Sequence, residues 1–256
     1  MYDLAPPPPL APLHRLALFL DFDGTLVPIA ETPDAVVPPP GLARLLADLH
    51  GLLDGALAIV TGRQMQVLDR FLAPLRLPAA CEHGMQRRDA GGRLLEQAPP
   101  CMETVLHACT ALARAHAGLL VERKHSSIAL HYRRAPHLRT LCLDTLECAL
   151  QGQPRLQLQP GKCVFEIQCA GMDKGRAIAA FLREAPFAGR TPVFAGDDTT
   201  DESGFAAVLS RGGMAIKVGP GDTMAGHRLD SPRAVHDWLH ALRTSGKAPL
   251  RAEAAA

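Results

Sequence analysis

Leu16-Ala17-Leu18-Phe19-Leu20-Asp21-Phe22-Asp23-Gly24-Thr25-Leu26 is the stretch that decides the fold. An unbroken apolar run closed by a glycine turn reads as a strand buried on both faces of a parallel sheet. Alternate strand residues point the same way, so Asp21 and Asp23 can project together from its carboxyl end, the rim where open α/β sheets hold ligands. Gly24 lets the chain turn sharply and leaves an amide N–H to face an anion. Two carboxylates this close repel unless a cation or a shared proton intervenes. An oxygen-preferring divalent ion, most simply Mg²⁺, resolves that conflict. One carboxylate can then act as nucleophile while the other transfers a proton. A bare D-x-D is more often a turn with a helix cap. The apolar run before it and Gly24-Thr25-Leu26 after it reverse that reading.

The 256 residues suffice for one large or two modest domains. A 47% hydrophobic composition and a net charge of +1 describe an ordinary soluble globular chain, with no argument for nucleic acid or an anionic membrane as partner. The seven cysteines include no C-x-x-C pair, which argues against a disulfide framework or structural zinc and for a reducing compartment. The N-terminus lacks a basic segment followed by a long apolar core, and no run is long enough to span a bilayer. A cytoplasmic protein, monomeric or weakly oligomeric, is expected.

Outward from the first strand, the chain alternates strands and helices. A helix follows Pro40 with Leu42, Leu45, Leu46 and Leu49 on its apolar face. A strand over 56–60 ends in Thr61-Gly62-Arg63, and another over 77–81 ends in Glu82-His83-Gly84. This opens a doubly wound sheet. The rhythm then changes. A hairpin over 86–95, a helix over 102–116, strands over 119–124 and 127–133 joined at His125-Ser126, a helix over 137–150 and strands over 156–159 and 162–168 give ββ-α-ββ-α-ββ. That order suits an antiparallel sheet with helices on one face, an α+β module inserted into the first domain. Asp173 then caps a helix carrying Lys174, and a strand over 192–195 runs into Gly196-Asp197-Asp198-Thr199-Thr200-Asp201-Glu202. A helix over 202–209, a strand over 214–218 and a last helix capped by Ser231 complete the chain. The expected division is a Pro-rich tail at 1–12, a first core part at 13–85, the module at 86–168, a second core part at 169–246 and a tail at 247–256.

Four strand-end loops thus carry distinct groups: Asp21 and Asp23, the Thr61 hydroxyl with the Gly62 amide, Lys174 at a helix start, and the acidic run Asp197, Asp198, Asp201. The acidic run cannot face an anion without a metal between them. Nucleophile, hydroxyl, cation and metal-binding acids are what phosphoryl transfer through an aspartyl phosphate needs.

Asp21-Phe22-Asp23-Gly24-Thr25, Val60-Thr61-Gly62-Arg63, Lys174-Gly175 and Gly196-Asp197-Asp198-x-x-Asp201 resemble the four ordered motifs of the haloacid-dehalogenase-like (HAD) phosphatases. The resemblance implies a doubly wound, Rossmann-like α/β core with the insert as an α+β cap domain of the C2B type. It implies Asp21, Asp23, Thr61 and Lys174 as catalytic groups, and Gly24, Gly62 and Arg63 as neighbours of the phosphate. Asp21, Asp23, Asp197, Asp198 and Asp201 would hold Mg²⁺. Glu82-His83-Gly84, Val121-Glu122-Arg123-Lys124, His131-Tyr132-Arg133 and Pro160-Gly161-Lys162-x-Val164-x-Glu166 carry a narrower resemblance, to trehalose-6-phosphate phosphatases. That implies Glu122, Lys124 and Glu166 as the cap residues holding the glucose hydroxyls. Strand alternation agrees, since Glu122 and Lys124 share one face and Val164, Glu166 and Gln168 share another. Gln168 departs from the family, in which an Arg is common there, and leaves the second sugar's contacts unassigned.

Taken alone, Thr61 reads as a cap, Lys174 as a solvated helix start, and Glu122 with Lys124 as an exposed cross-strand ion pair. Their conjunction in order favours the phosphatase. His83 and His131 are read as structural, while Arg133 and Lys162 are either surface charges or ligand contacts. The rivals are a phosphatase of sucrose 6-phosphate or mannosyl-3-phosphoglycerate, a sugar phosphomutase, and a non-catalytic sugar-phosphate-binding partner of a glycosyltransferase.

Overall fold

The computed structural model describes residues 4–8, 10, 12–98, 101–124 and 126–246. In chain order, β1 (Leu16–Leu20), α1 (Leu42–Leu52), β2 (Leu57–Val60), α2 (Met65–Leu72), β3 (Ala79–Cys81), β4 (Gln86–Arg88) and β5 (Leu94–Glu96) come first. Then follow α3 (Glu103–Ala115), β6 (Leu120–Arg123), β7 (Ile128–His131), α4 (Arg139–Leu150), β8 (Leu156–Gly161) and β9 (Val164–Cys169). The chain closes with α5 (Lys174–Phe181), β10 (Thr191–Gly196), α6 (Glu202–Leu209), β11 (Met214–Val218), β12 (His227–Leu229) and α7 (Pro232–Gly246).

An eight-stranded sheet of order β12-β11-β10-β1-β2-β3-β4-β5 forms the core. It is parallel from β12 to β3 and antiparallel beyond. Strand β1 lies inside it, and its side chains serve two cores. Leu16, Leu18 and Leu20 pack with Leu45, Leu68 and Leu239 of α1, α2 and α7. Ala17 and Phe19 face the other way, onto Ile178 and Phe181 of α5 and Phe205 of α6. Burial on both faces is why the run is apolar at every position.

A second, antiparallel sheet of order β6-β7-β9-β8 makes the insert. Ile128, Leu130, Phe165 and Ile167 on one face pack with Val105 and Cys109 of α3 and Cys142 and Leu146 of α4. By alternation Glu122, Ala129, His131, Val164 and Glu166 occupy the opposite face, which turns to the core. Among the described residues, no helix is long and apolar enough to cross a membrane.

Three expectations need correction. The hairpin over 86–95 forms, but β4 pairs with β3 and so extends the core sheet. A boundary at 86 therefore cuts that sheet, and the insert's sheet has four strands. Hairpin signals are local and do not say which edge the pair joins. Here Arg88 decides, forking onto both oxygens of Asp69 (2.8 and 2.9 Å) and donating to the Leu77 carbonyl (2.9 Å). Helix α2, whose buried face is only Met65, Leu68 and Leu72, and the three-residue strand β12 were not anticipated. His125 of the expected turn, part of the 1–12 tail and the whole of 247–256 lie outside the described residues.

Candidate active site

Asp21 leaves β1 buried, with its amide tied to the Ala195 carbonyl of β10 (2.9 Å). Lys174 opens α5 behind Asp173, whose carboxylate caps the helix by accepting from the Arg176 amide (2.8 Å). The Lys174 Nζ donates to Asp21 Oδ1 and Asp201 Oδ1, each at 2.7 Å. Thr25 Oγ1 donates to the other oxygen of Asp21 (3.2 Å). After β10, Asp198 and Asp201 form a capping box, in which the Asp198 amide donates to Asp201 Oδ2 (2.9 Å). Two glycines permit the convergence. A Cβ on Gly24 would lie 2.1 Å from Asp197 Oδ2, and one on Gly196 would lie 2.3 Å from Asp201 Cγ.

Carboxylate oxygens of Asp21, Asp197 and Asp201 lie within 4.8 Å of one another. Burial pushes the Asp21 carboxyl well above its ordinary range; Lys174 pulls it back, and Asp201 and Asp197 add to the push. Burial and then Asp201 raise Asp197 to about 6, against Lys162 and Lys174. Lys174 itself is held above its usual range by Asp201 and Asp21, which outweigh its burial. Three buried carboxylates crowded this closely fit an oxygen-preferring divalent cation. The expected five-carboxylate set is divided, however. The Asp23 side chain is engaged by Arg63, and Asp198 accepts from the Thr199 amide (2.7 Å) and the Lys162 amide (3.2 Å).

Thr61 ends β2 buried, and its Oγ1 accepts from the Arg63 amide (3.1 Å), the cap expected of a Thr-Gly turn. Arg63 forks onto Asp23, Nε to Oδ2 at 2.6 Å and Nη2 to Oδ1 at 2.7 Å, with its guanidinium 4.9 Å from the centre of the Phe71 ring. The sequence suggested a phosphate neighbour; the structure gives Arg63 a carboxylate of the site to hold.

The inserted sheet faces the core across a cleft of about 200 Å³, which Asp21, Asp23, Thr61 and Lys174 line from one side and Glu122, Lys124 and Glu166 from the other. Glu166 Oε1 accepts from Lys124 Nζ (2.8 Å) and Ser127 Oγ (2.6 Å), and its Oε2 meets His83 Nε2 (3.2 Å). Lys124 also reaches the Gly62 carbonyl (3.0 Å). Burial alone would raise the Glu166 carboxyl, but Lys124 and His83 outweigh it and hold the group well below its ordinary range. Glu122 pairs with His131 Nε2 (2.9 Å), which together with Lys124 overcomes burial and lowers its carboxyl. Glu122 and Lys124 thus do not pair with each other: Glu122 faces His131, and Lys124 is held against Glu166. His83 and His131, read as structural, both line the cleft. Lys162 donates to Asp197 (3.2 Å), and Arg133 to the Lys162 carbonyl (2.9 Å). Gln168 turns away to the Met172 carbonyl (3.3 Å).

Sequence reasoning missed Lys217, which is buried on β11 and donates to the Asp197 carbonyl. A lysine inside the apolar run Met214-Ala215-Ile216-Lys217-Val218 was the available signal, since such a charge needs a buried partner.

The sequence profile of the trehalose-phosphatase family matches residues 19–233. The trehalose-6-phosphate phosphatase of Escherichia coli (strain K12) is 44% identical over 236 residues, covering 90% of this chain and 88% of that protein. Among solved structures, the C-terminal domain of the Candida albicans trehalose-6-phosphate phosphatase superposes with a TM-score of 0.80 at 24% identity, over 90% of this chain and 92% of that one. A trehalose-6-phosphate phosphatase related protein superposes at 0.72 with 28% identity, over 90% and 98%.

Proposed function

The chain belongs to the trehalose-phosphatase family, and from that premise we propose that it hydrolyses trehalose 6-phosphate to trehalose and phosphate. The observation that carries the reading is one cleft in which Asp21, Asp197, Asp201 and Lys174 converge beneath Glu122, Lys124 and Glu166.

Asp21 attacks phosphorus in line, forming an aspartyl phosphate as the bond to the sugar oxygen breaks. Asp23 gives its proton to the leaving sugar oxygen, then takes one from the water that hydrolyses the intermediate. Arg63 fixes the plane of Asp23 in its ionised form, the form that takes the proton from water. Lys174 and the Thr61 hydroxyl offset charge on the equatorial oxygens. Asp21, Asp197 and Asp201 would hold Mg²⁺, which would supply further positive charge beside the phosphoryl group. On the cap, Glu122, Lys124 and Glu166 offer two acceptors and one donor to sugar hydroxyls. The unit closing over the core is α3 with the four-stranded sheet and α4, the β4–β5 hairpin remaining with the core. The enzyme works in the cytoplasm, as a monomer or weak oligomer.

The test is phosphate release from trehalose, sucrose and glucose 6-phosphates and mannosyl-3-phosphoglycerate, with Mg²⁺ and with chelator. Selective, Mg²⁺-dependent release from trehalose 6-phosphate is expected. Release from another member would keep the core chemistry and discard the cap assignment; release from none would overturn the hydrolase reading.

A further inference from the structure

Glu82-His83-Gly84 has no part in the mechanism above, yet it is built at some expense. Glu82 and His83 are both buried, and their φ values of 47° and 57° are ones that side-chain-bearing residues rarely adopt. Such a turn persists only where its surroundings over-determine it.

Those surroundings belong to two different parts of the molecule. Through the backbone, the Glu82 amide donates to the Arg63 carbonyl (3.0 Å) and the His83 amide to the Thr61 carbonyl (3.2 Å), so the turn is stitched to the phosphate-side loop. The side chains reach the cap. Glu82 Oε2 accepts from both the amide and the hydroxyl of Ser126, beside β7, and His83 Nε2 meets Glu166 Oε2 (3.2 Å). The imidazole also lies against Gly62, where a Cβ would come within 2.9 Å of its Nε2. One turn therefore touches both the Thr61-Gly62-Arg63 loop of the core and Glu166 of the inserted sheet.

We propose that Glu82 and His83 form a latch between core and cap, Glu82 docking the cap through Ser126 and His83 positioning Glu166 toward the sugar. The proposal rests on the sugar-phosphate reading of the cleft. Docking at Ser126 lowers the cost of closing over a substrate whose sugar engages the cap. A small aryl phosphate without a sugar gains nothing from that closure. Both are positioning residues, since their contacts act through Ser126 and Glu166.

The test compares trehalose 6-phosphate with p-nitrophenyl phosphate in Glu82→Asn and Ser126→Ala. Asn suits a left-handed backbone but is too short to keep the Ser126 contact, and Ser126→Ala removes only a hydroxyl. Ser126→Ala loses one charge-assisted hydrogen bond and Glu82→Asn two, so KM for trehalose 6-phosphate should rise about tenfold or more in each. The kcat/KM for the aryl phosphate should stay within about twofold, because it makes no use of the latch. For His83, Gln should preserve more sugar-phosphate turnover than Leu, because it retains an N–H to offer Glu166. A readout without substrate accompanies these: hydrogen exchange at the Ser126 amide should accelerate in Glu82→Asn while β1 and β10 keep their protection. Proportional losses on both substrates, no loss on either, or unchanged exchange at Ser126 would overturn the latch. Should the unaltered enzyme release nothing from trehalose 6-phosphate, the functional reading falls, and the exchange experiment still decides the latch.

Discussion

Arg63 holds both carboxylate oxygens of Asp23, Nε 2.6 Å from Oδ2 and Nη2 2.7 Å from Oδ1, with its own guanidinium steadied 4.9 Å from the Phe71 ring centre. A fork gripping both oxygens fixes the plane of the carboxylate as well as its position. A lysine supplies the charge without the fork. Arg63→Lys should therefore lower kcat by about tenfold or more, with a smaller change in KM, since misorienting a proton donor acts on the chemical step. Steady-state kinetics decide it; a rise in KM at constant kcat would make Arg63 a substrate ligand instead.

Asp21→Asn keeps the shape of a buried side chain and removes the nucleophile. Turnover should fall by on the order of 10³-fold or more, the scale seen when a residue central to a covalent mechanism is lost. The fold should survive and sugar-phosphate binding should persist. Phosphate release together with calorimetric titration of trehalose 6-phosphate checks both halves.

Lys174 is buried between Asp21 and Asp201 at 2.7 Å from each. Lys174→Met leaves two buried carboxylates facing one another. Removing one partner of a buried ion pair costs about 3–5 kcal/mol. Urea unfolding in the absence of divalent ions should read that loss alongside the loss of activity.

The convergence of Asp21, Asp197 and Asp201 should bind Mg²⁺ independently of substrate. Saturation at about a hundred times Kd adds about 2.7 kcal/mol of stability. Thermal denaturation should show Tm rising with Mg²⁺ in the parent protein and hardly moving in Asp197→Asn. Chelator should abolish both the shift and turnover.

The cap–core contacts carry a pH dependence through Glu166. Its folded-state carboxyl titrates well below the ordinary value of 4.5, because Lys124 and His83 favour the charged form over the effect of burial. A depressed carboxyl contributes stability that is fully present above the unfolded-state value and is lost as pH falls below it toward the folded-state value. Tm of the parent should therefore drop more steeply below about pH 4.5 than Tm of Glu166→Gln. Parallel acid profiles would remove Glu166 as a source of the slope.

Strand β1 was legible because burial on two faces leaves no room for ambiguity in Leu16-Ala17-Leu18-Phe19-Leu20. Asp173 was legible as a cap for the same local reason, its carboxylate needing only its own helix. Lys217 and the β4–β5 hairpin were not, since a buried lysine and a sheet edge are defined by partners distant in sequence. His83 was read as a structural histidine, but its partner was not legible, since Glu166 lies on another sheet.

By itself the sequence determined the alternation of strands and helices, the strand-end loops bearing Asp21, Thr61 and Asp197, the helix start bearing Lys174, and the inserted module with Glu122, Lys124 and Glu166 along its strands. Periodicity and turn chemistry act over a few residues and leave their record in order and spacing. Only the tertiary structure decided which carboxylates converge. Asp21, Asp197 and Asp201 meet, whereas Asp23 goes to Arg63 and Asp198 to its own loop and Lys162. Only it joined Glu82 to Ser126 and His83 to Glu166. Which polar groups share a hydrogen bond depends on how two sheets are placed against each other, and that placement is set by packing summed over the whole chain rather than by any one segment.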